Sequence, residues 1–206
     1  MNIQREKTNL NRKNLLPEVK DGFSFSCQQC GRCCSGAGEG FVFLYDKELP
    51  KIAKRLRISI QECVTKYVDI INSEYKVVDK NLNPTKKKIF LHSLVLRQDE
   101  KDGTCVFLDK KTNLCEIYGS RPYQCKSWPM WYPLMTQRKE LNGAKEKCPG
   151  FKSKDGYITN SQILASLETE LKTEYNFMKK MRKNDNELEK CYRFLRNIKF
   201  NINKSV

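Results

Sequence analysis

The sequence predicts an α+β protein: a small cysteine-rich domain stapled by metal, with short strands, a hairpin and helices, followed by a C-terminal helical hairpin. Ten cysteines stand among 206 residues, and eight of them follow a regular spacing. Hydrophobic residues make up 39% of the chain and charged residues 31%, so the apolar core is small for this length. A metal held by thiolates would offset that shortage, because metal binding and folding are then one free-energy change.

The chain is expected to divide into four segments. Residues 1–22 are polar and show no sustained period, which predicts a flexible or loosely docked arm. Residues 23–155 form the predicted cysteine-cluster domain, and residues 156–200 the predicted helical hairpin. Residues 201–206 are a short tail.

Short strands are predicted on both sides of the first cysteines. Phe23 and Phe25 alternate with serines, and the apolar run at 41–44 is typical of a short buried strand. The glycine-rich segment 35–40 lies between them. Its glycines would allow backbone N–H groups to approach sulfur closely.

Two helices are predicted after these strands. Asp46 is expected to cap the first, which runs to about Leu56. Ser59 and Glu62 form a Ser-x-x-Glu capping box for the second helix. Cys63 falls on the apolar face of that helix, and we interpret it as a core residue because free cysteine packs as a small hydrophobe.

A hairpin is the natural interpretation of the next segment. Residues 75–78 and 89–96 are rich in strand-forming residues, and three lysines at 86–88 are expected at the turn or at the sheet edge. His92 is the only histidine, which excludes metal sites that need two or three imidazoles. We interpret it as a strand residue.

Helical periodicity begins near residue 159. Thr159, Asn160 or Ser161 can cap a long helix with one apolar stripe, and the run 184–186 is expected to end it. A second helix with matching spacing would pack back antiparallel, with Cys191 in its apolar stripe.

Eight cysteines carry the chemistry of this chain. The run Cys-Gln-Gln-Cys-Gly-Arg-Cys-Cys puts four thiols into eight residues, and two-residue gaps let successive sulfurs converge from one tight turn. Four more cysteines follow, each in a patterned context. The candidate metal ligands are Cys27, Cys30, Cys33, Cys34, Cys105, Cys115, Cys125 and Cys148.

Metal binding is favoured over disulfides because of the expected compartment. The N-terminal residues are polar, without the apolar core of a signal peptide, and no segment has the length of a membrane span. These features predict a cytoplasmic protein, in which thiols stay reduced. The net charge of +15 is compatible with an anionic partner or nucleic acid, but a lysine-rich composition is the simpler explanation. The sequence is equally compatible with a protein partner, which it does not identify.

The cysteine pattern resembles the CxxCxxCC (YkgJ-like) cysteine-cluster family, whose members are described as zinc- or iron-chelating. The resemblance covers residues 23–152. Besides the eight cysteines, it includes the residues Phe107, Leu108, Ile117, Tyr118, Arg121, Pro122, Pro129, Pro149 and Gly150. Lys126 stands where the family commonly has arginine. The resemblance implies metal binding and does not imply a defined reaction.

The cofactor is either a 4Fe–4S cluster or zinc. Eight thiols could form two closed zinc sites, whereas a CxxCxxC tripod with a remote cysteine is an iron–sulfur arrangement. Flagellin lysine methylases share a similar region, and this similarity slightly favours iron–sulfur. Arg121 is a candidate for hydrogen bonding around the cluster.

Three function classes stay open at this stage. The first is a metal-binding protein that acts through a partner. The second is an iron–sulfur-dependent enzyme of methyltransferase or redox type, and the third is a nucleic-acid-binding zinc module. No dinucleotide, nucleophile-elbow or Walker motif occurs in the sequence to support a particular enzyme class.

Overall fold

The computed structural model of the chain describes residues 10–35, 40–196, 198 and 204–205. Helices and small sheets share the chain, which confirms the α+β class. The helices are α1 (Glu48–Leu56), α2 (Ile60–Tyr67), α3 (Tyr123–Ser127), α4 (Tyr132–Thr136), α5 (Arg138–Lys147), α6 (Asn160–Lys183) and α7 (Leu188–Cys191). The strands are β1 (Gly22–Ser24), β2 (Val68–Val78), β3 (Pro84–Leu96), β4 (Leu108–Asp109), β5 (Leu114–Cys115), β6 (Tyr157–Thr159) and β7 (Lys204–Ser205).

The strands of the described residues form small sheets. Strands β1 and β6 pair antiparallel, as do β4 and β5, with Leu108 opposite Cys115 in the second pair. A third sheet has the order β3-β2-β7, in which β7 lies parallel to β2.

The chain folds as two compact units that are discontinuous in sequence. The first unit comprises residues 1–26, 75–89 and 127–179, and the second comprises residues 27–74, 90–126 and 180–206. Seven of the eight candidate cysteines belong to the second unit, and Cys148 belongs to the first.

The first unit holds an apolar core that includes part of the predicted arm. Residues 1–9 of that arm lie outside the described residues. Its second half is docked, because Leu15 and Val19 are buried in this core and the Leu16 amide donates to the carbonyl of Met135 at 2.9 Å. Apolar side chains at a spacing of four residues explain this docking in an otherwise polar segment.

Helix α6 begins and ends where the sequence predicts. The hydroxyl of Thr159 accepts a hydrogen bond from the Gln162 amide at 3.3 Å, and the helix stops before Asp185 and Asn186, which both have a positive φ. The second helix of the predicted hairpin is much shorter than expected. Helix α7 ends at Cys191, and a 3₁₀ turn (Arg193–Leu195) replaces its continuation.

The second unit contains the helix pair α1 and α2. The Ser59 side chain accepts a hydrogen bond from the Glu62 amide, as predicted for the cap of α2. The prediction that Asp46 caps α1 is wrong, because the N-cap is Lys47 and makes no side-chain cap bond. Asp46 instead pairs with Lys180.

The central hairpin is longer than its sequence signal. Strand β2 begins at Val68 directly after α2, and the turn occupies residues 79–83. The three lysines at 86–88 lie on an exposed stretch of β3, which is an edge strand of its sheet. Of the two predicted positions, the sheet edge is therefore correct and the turn is wrong. The predicted strand at 41–44 is reduced to an isolated bridge between Phe43 and Val95.

None of the helices of the described residues combines the length and the apolar character that spanning a membrane requires.

Candidate metal centre

The first cysteine motif, residues 27–34, folds as a tight turn in the second unit. The Cys34 amide donates to the Gly31 carbonyl at 2.8 Å. Gly31 has φ +70°, and a Cβ at this position would stand 2.9 Å from the carbonyl oxygen of Asn113. Only glycine fits this close approach without strain. Within this turn Cys27, Cys30 and Cys33 are exposed, whereas Cys34 is half-buried.

The next two cysteines share one local arrangement. Cys105 and Cys115 each receive a hydrogen bond from the backbone N–H two residues further on, from Phe107 and Ile117 respectively. Both donor residues are only 1% exposed, so the donors are held in place by the core. The Cys105 amide also donates to the Cys34 carbonyl at 2.7 Å, which ties this cysteine to the first motif.

Burial sets the net direction of both pKa values. Desolvation raises the pKa of Cys105 to about 11 and also raises the pKa of Cys115, and the backbone hydrogen bonds lower both values in part. A hydrogen bond to sulfur favours the thiolate, whereas an apolar environment disfavours it. These two thiols therefore need a further positive charge before they ionise at neutral pH.

Cys125 is carried by α3, which is fixed by side chains from elsewhere in the second unit. Gln124 of α3 accepts from the Phe43 amide and donates to the Phe41 carbonyl, both at 3.0 Å. The carboxylate of Glu48 on α1 accepts from the Tyr123 amide at the start of α3. Burial, followed by the charges of neighbouring thiols, raises the pKa of Cys125.

The vicinal pair completes a group that we call the thiol cluster. The Sγ atoms of Cys33 and Cys34 are 3.8 Å apart. A hydrogen bond from Cys34 lowers the pKa of Cys33 to about 6, and the same bond raises the pKa of Cys34. The thiol cluster comprises Cys33, Cys34, Cys105, Cys115 and Cys125, in which ionisation of one thiol raises the pKa of others.

Arg121 contributes a positive charge that acts on this cluster. Its charge lowers the pKa values of Cys33, Cys115 and Cys125 relative to what burial alone would give. The guanidinium is held by a hydrogen bond from its Nε to the Tyr118 carbonyl at 3.1 Å and by stacking at 3.8 Å from the Tyr118 ring centre. The side chain is therefore oriented by its own turn.

Cys148 lies in the first unit, in a different environment. The indole Nε1 of Trp128 donates to its Sγ at 3.4 Å, and Trp131 packs edge-on against Trp128. The turn after Cys148 packs closely against residue 26 at Gly150, where a Cβ would stand 2.8 Å from the Ser26 carbonyl oxygen. Its thiol is thus half-buried beneath aromatic side chains.

Five of the eight candidate cysteines, those of the thiol cluster, lie close enough for the ionisation of one to affect the pKa of another. Cys27 and Cys30 are exposed on the first motif, and Cys148 belongs to the other unit. Within residues 10–35 and 40–196, no three His, Cys, Asp or Glu side chains stand together at the spacing of bound metal ligands.

Of the two remaining cysteines, Cys63 is a core residue as predicted, whereas Cys191 is only half-buried. Cys63 is fully buried on α2. The Sγ of Cys191 lies 3.4 Å from the Sδ of Met181. His92 is half-buried within β3. None of these three side chains takes part in the thiol cluster.

Two features of the site are missed by sequence reasoning. The first is the pair of backbone donors at Phe107 and Ile117, although the shared Cys-x-apolar pattern was a signal for them. The second is Glu48 of α1, whose carboxylate accepts hydrogen bonds from the amides of Tyr45 and Tyr123. Tyr45 lies three residues away in sequence and Tyr123 lies 75 residues away. A lone glutamate early in a helix has no sequence signal for such a role.

A family model matches residues 26–149, which is more than half of the chain. The family is CxxCxxCC, described as "Putative zinc- or iron-chelating domain". The chain belongs to this family, and the resemblance predicted from the cysteine pattern is confirmed.

A curated relative occurs in Methanocaldococcus jannaschii under the name "Uncharacterized protein MJ0661". It is 29% identical over 127 residues, and the match covers 62% of this chain. The chain spans only 56% of the length of that relative. No solved structure matches the chain significantly.

Proposed function

We propose that the protein binds metal through thiolates drawn from the eight patterned cysteines, and that the metal is an iron–sulfur cluster of the 4Fe–4S type. One observation carries the proposal: Cys33 and Cys34, whose Sγ atoms are 3.8 Å apart, are joined to Cys105 by a 2.7 Å backbone hydrogen bond, within a unit that also holds Cys115 and Cys125. Grouping thiols that are largely half-buried is unfavourable once they ionise, unless a metal neutralises them.

The donor set fits a thiolate-bound metal. Thiolate sulfur is the ligand type that zinc and iron–sulfur clusters prefer. Backbone N–H groups at Cys105 and Cys115 and the indole N–H at Cys148 would stabilise bound thiolates, since such donors around sulfur tune a metal site. All ten cysteines are free thiols in the structure. A reducing compartment such as the cytoplasm suits this state.

The spacing of the first motif favours iron–sulfur over zinc. Cys27, Cys30 and Cys33 form a CxxCxxC tripod, and an iron–sulfur cluster takes three thiolates from such a turn with a fourth from a remote position. The thiol cluster offers three remote cysteines from the segment 105–125.

Metal binding would also explain how the second unit is stabilised. Strands β4 and β5 have two residues each, and the first motif has no regular structure. Segments of this kind bury little apolar surface of their own. Cross-linking them through a metal would add stability, since a site that does not exist in the unfolded chain contributes its binding free energy to folding.

The decisive experiment is purification of the whole chain without oxygen, followed by absorption spectroscopy and analysis of iron, zinc and acid-labile sulfide. We expect brown protein with broad absorption near about 400 nm, as cysteine-ligated clusters show. Aerobic preparations should be colourless and should contain zinc, because zinc accepts the same thiolates.

A matched pair of variants controls for loss of a thiol in general. Cys125→Ala should lower the iron and sulfide content, whereas Cys63→Ala should leave both unchanged, because Cys63 packs away from the thiol cluster. Colourless anaerobic protein with about two zinc ions per chain would replace the cluster by two four-thiolate zinc sites. Anaerobic protein without either metal would refute metal binding.

A further inference from the structure

A strongly basic cleft of about 420 Å³ opens on the surface of the second unit. Five of its seven lining residues are cationic, and no lining residue is acidic. The lining residues are Lys51, Lys54, Arg55, Arg57, Gly119, Ser120 and Lys126.

Two walls of different origin form this basic cleft. One wall is the second half of α1 and its C-cap, where Lys51, Lys54 and Arg55 recur at helical spacing. The other wall is formed by Gly119 and Ser120 of the 3₁₀ turn Tyr118–Ser120, with Lys126 of α3 beside them. Helix α1 packs directly against that turn. The cations therefore converge because of tertiary packing and not because they form one sequence run.

The ion pairs of the described part of the chain do not account for the lining cations. None of the ion pairs found among the described residues includes any of the five. The charges of Lys51 and Lys126 act on Glu48, but the two oxygens of Glu48 accept from the backbone amides of Tyr45 and Tyr123.

Favourable interaction with the dipole of α1 accounts for the position of only some of the lining cations. Lys54 and Arg55 stand in the last turn of α1, where cations are stabilised by the partial negative charge of the helix end. Lys51 lies earlier in the helix, and Lys126 comes from the opposite wall. Bringing these charges together is unfavourable unless a counter-charge occupies the cleft.

We propose that the basic cleft binds a compact oligophosphate, meaning two or three linked phosphate groups. Its volume lies within the range of small-ligand sites. Lysine provides point charges for phosphate, and the guanidinium groups of Arg55 and Arg57 provide bidentate donors. The ligand is either an inorganic oligophosphate or the phosphate tail of a nucleotide.

The composition of the cleft disfavours single-stranded nucleic acid as the ligand. Proteins that bind single strands combine cations with aromatic platforms on which bases stack. No aromatic side chain is among the lining residues. At Gly119 an added Cβ would meet nothing within 4 Å, so the turn leaves open space for a ligand to approach its backbone.

Calorimetric titration of the full chain with inorganic triphosphate tests the proposal, with adenosine triphosphate and a short oligothymidine strand as further arms. We expect saturable binding of triphosphate with one site per chain. Equal affinity for adenosine triphosphate and inorganic triphosphate would show that the phosphates alone are recognised. Binding of the nucleotide that is at least tenfold tighter would show that the oligophosphate ligand is part of a nucleotide. Tighter binding of the oligothymidine, per phosphate group, would overturn the proposal.

Matched variants separate the cleft from the general positive charge of the chain. Lys54→Gln with Lys126→Gln should weaken triphosphate binding at least tenfold. Lys86→Gln with Lys87→Gln removes the same charge from an exposed stretch of β3 and should change affinity less than twofold. Equal losses in both double variants would show diffuse attraction only and would refute the site.

A second pair of variants guards against misfolding of the first. Gly119→Glu and Gly143→Glu add one negative charge each at positions where an added Cβ meets no neighbour within 4 Å. Only Gly119→Glu should weaken binding. Since every variant keeps all ten cysteines, its metal content reports on the metal-binding proposal separately from triphosphate affinity.

Discussion

Replacement of Glu174 by glutamine should stabilise the protein, and the gain should appear only as the pH rises. Glu174 lies on α6 one turn after Glu170, and burial raises its pKa from an ordinary value of 4.5 to about 7. Burial and the nearby charge of Glu174 raise the pKa of Glu170 to about 8, although its carboxylate accepts from the Tyr132 amide at 2.7 Å.

The sign of the effect follows from proton binding. Between pH 4.5 and about 7 the folded chain holds a proton on Glu174 that the unfolded chain has lost, so wild-type stability falls as the pH rises through this window. The difference between the two pKa values corresponds to at most about 3 kcal/mol. Because the side chain keeps some contact with water, we expect a measured gain of about 1–3 kcal/mol for Glu174→Gln at pH 8.

The assay is urea denaturation of wild type and variant at pH 5 and pH 8. The difference in unfolding free energy between the two proteins should grow by about 1–3 kcal/mol from the lower to the higher pH. Any pH dependence of metal binding is common to both proteins and cancels. Glu168→Gln, at an exposed position of the same helix, is the control and should show no such growth. An equal difference at both pH values would refute the argument from burial.

The remaining predictions concern packing around the cysteines. Cys63→Ala and Cys191→Ala should keep the wild-type metal content, and the Cys63 change should lower the unfolding free energy by about 1 kcal/mol, an ordinary cost for a substitution. Phe107→Ala should cost about 3–5 kcal/mol in the same denaturation assay, because the ring is 1% exposed and contacts Tyr67. Gly31→Ala should cost about 1–3 kcal/mol and reduce metal content, since its positive φ strains any other residue. Gly143→Ala should instead stabilise α5 by about 0.5–1 kcal/mol, and a loss there would contradict the contact geometry.

Local sequence signals predicted the parts of the fold that depend on neighbours in the chain. The cap at Ser59 and the break after Lys183 are decided within four residues of chain, and both occur as predicted. The cap at Asp46 fails because a residue distant in sequence, Lys180, takes its carboxylate. Propensity arguments contain no term for such a competing partner.

Longer-range pairing explains the other differences. Strand β2 begins at Val68 because β3 is available as its partner strand. Strand propensity predicted only its last residues, 75–78. The short α7 reflects the opposite effect. Its continuation has a helical pattern, yet a 3₁₀ turn forms there with Leu195 fully buried. Packing decides the conformation of a segment that is too short to be stable as an isolated helix.

The sequence by itself determined the family of this protein, because the order and spacing of its cysteines can be read along the chain without knowledge of the fold. Tertiary structure alone decided which thiols act on one another, since the thiol cluster draws on residues from 33 to 125. It also decided that α1 and the turn at 118–120 would face each other across a basic cleft. The physical reason is that electrostatic and hydrogen-bond interactions depend on distance in space, and only the folded chain sets those distances.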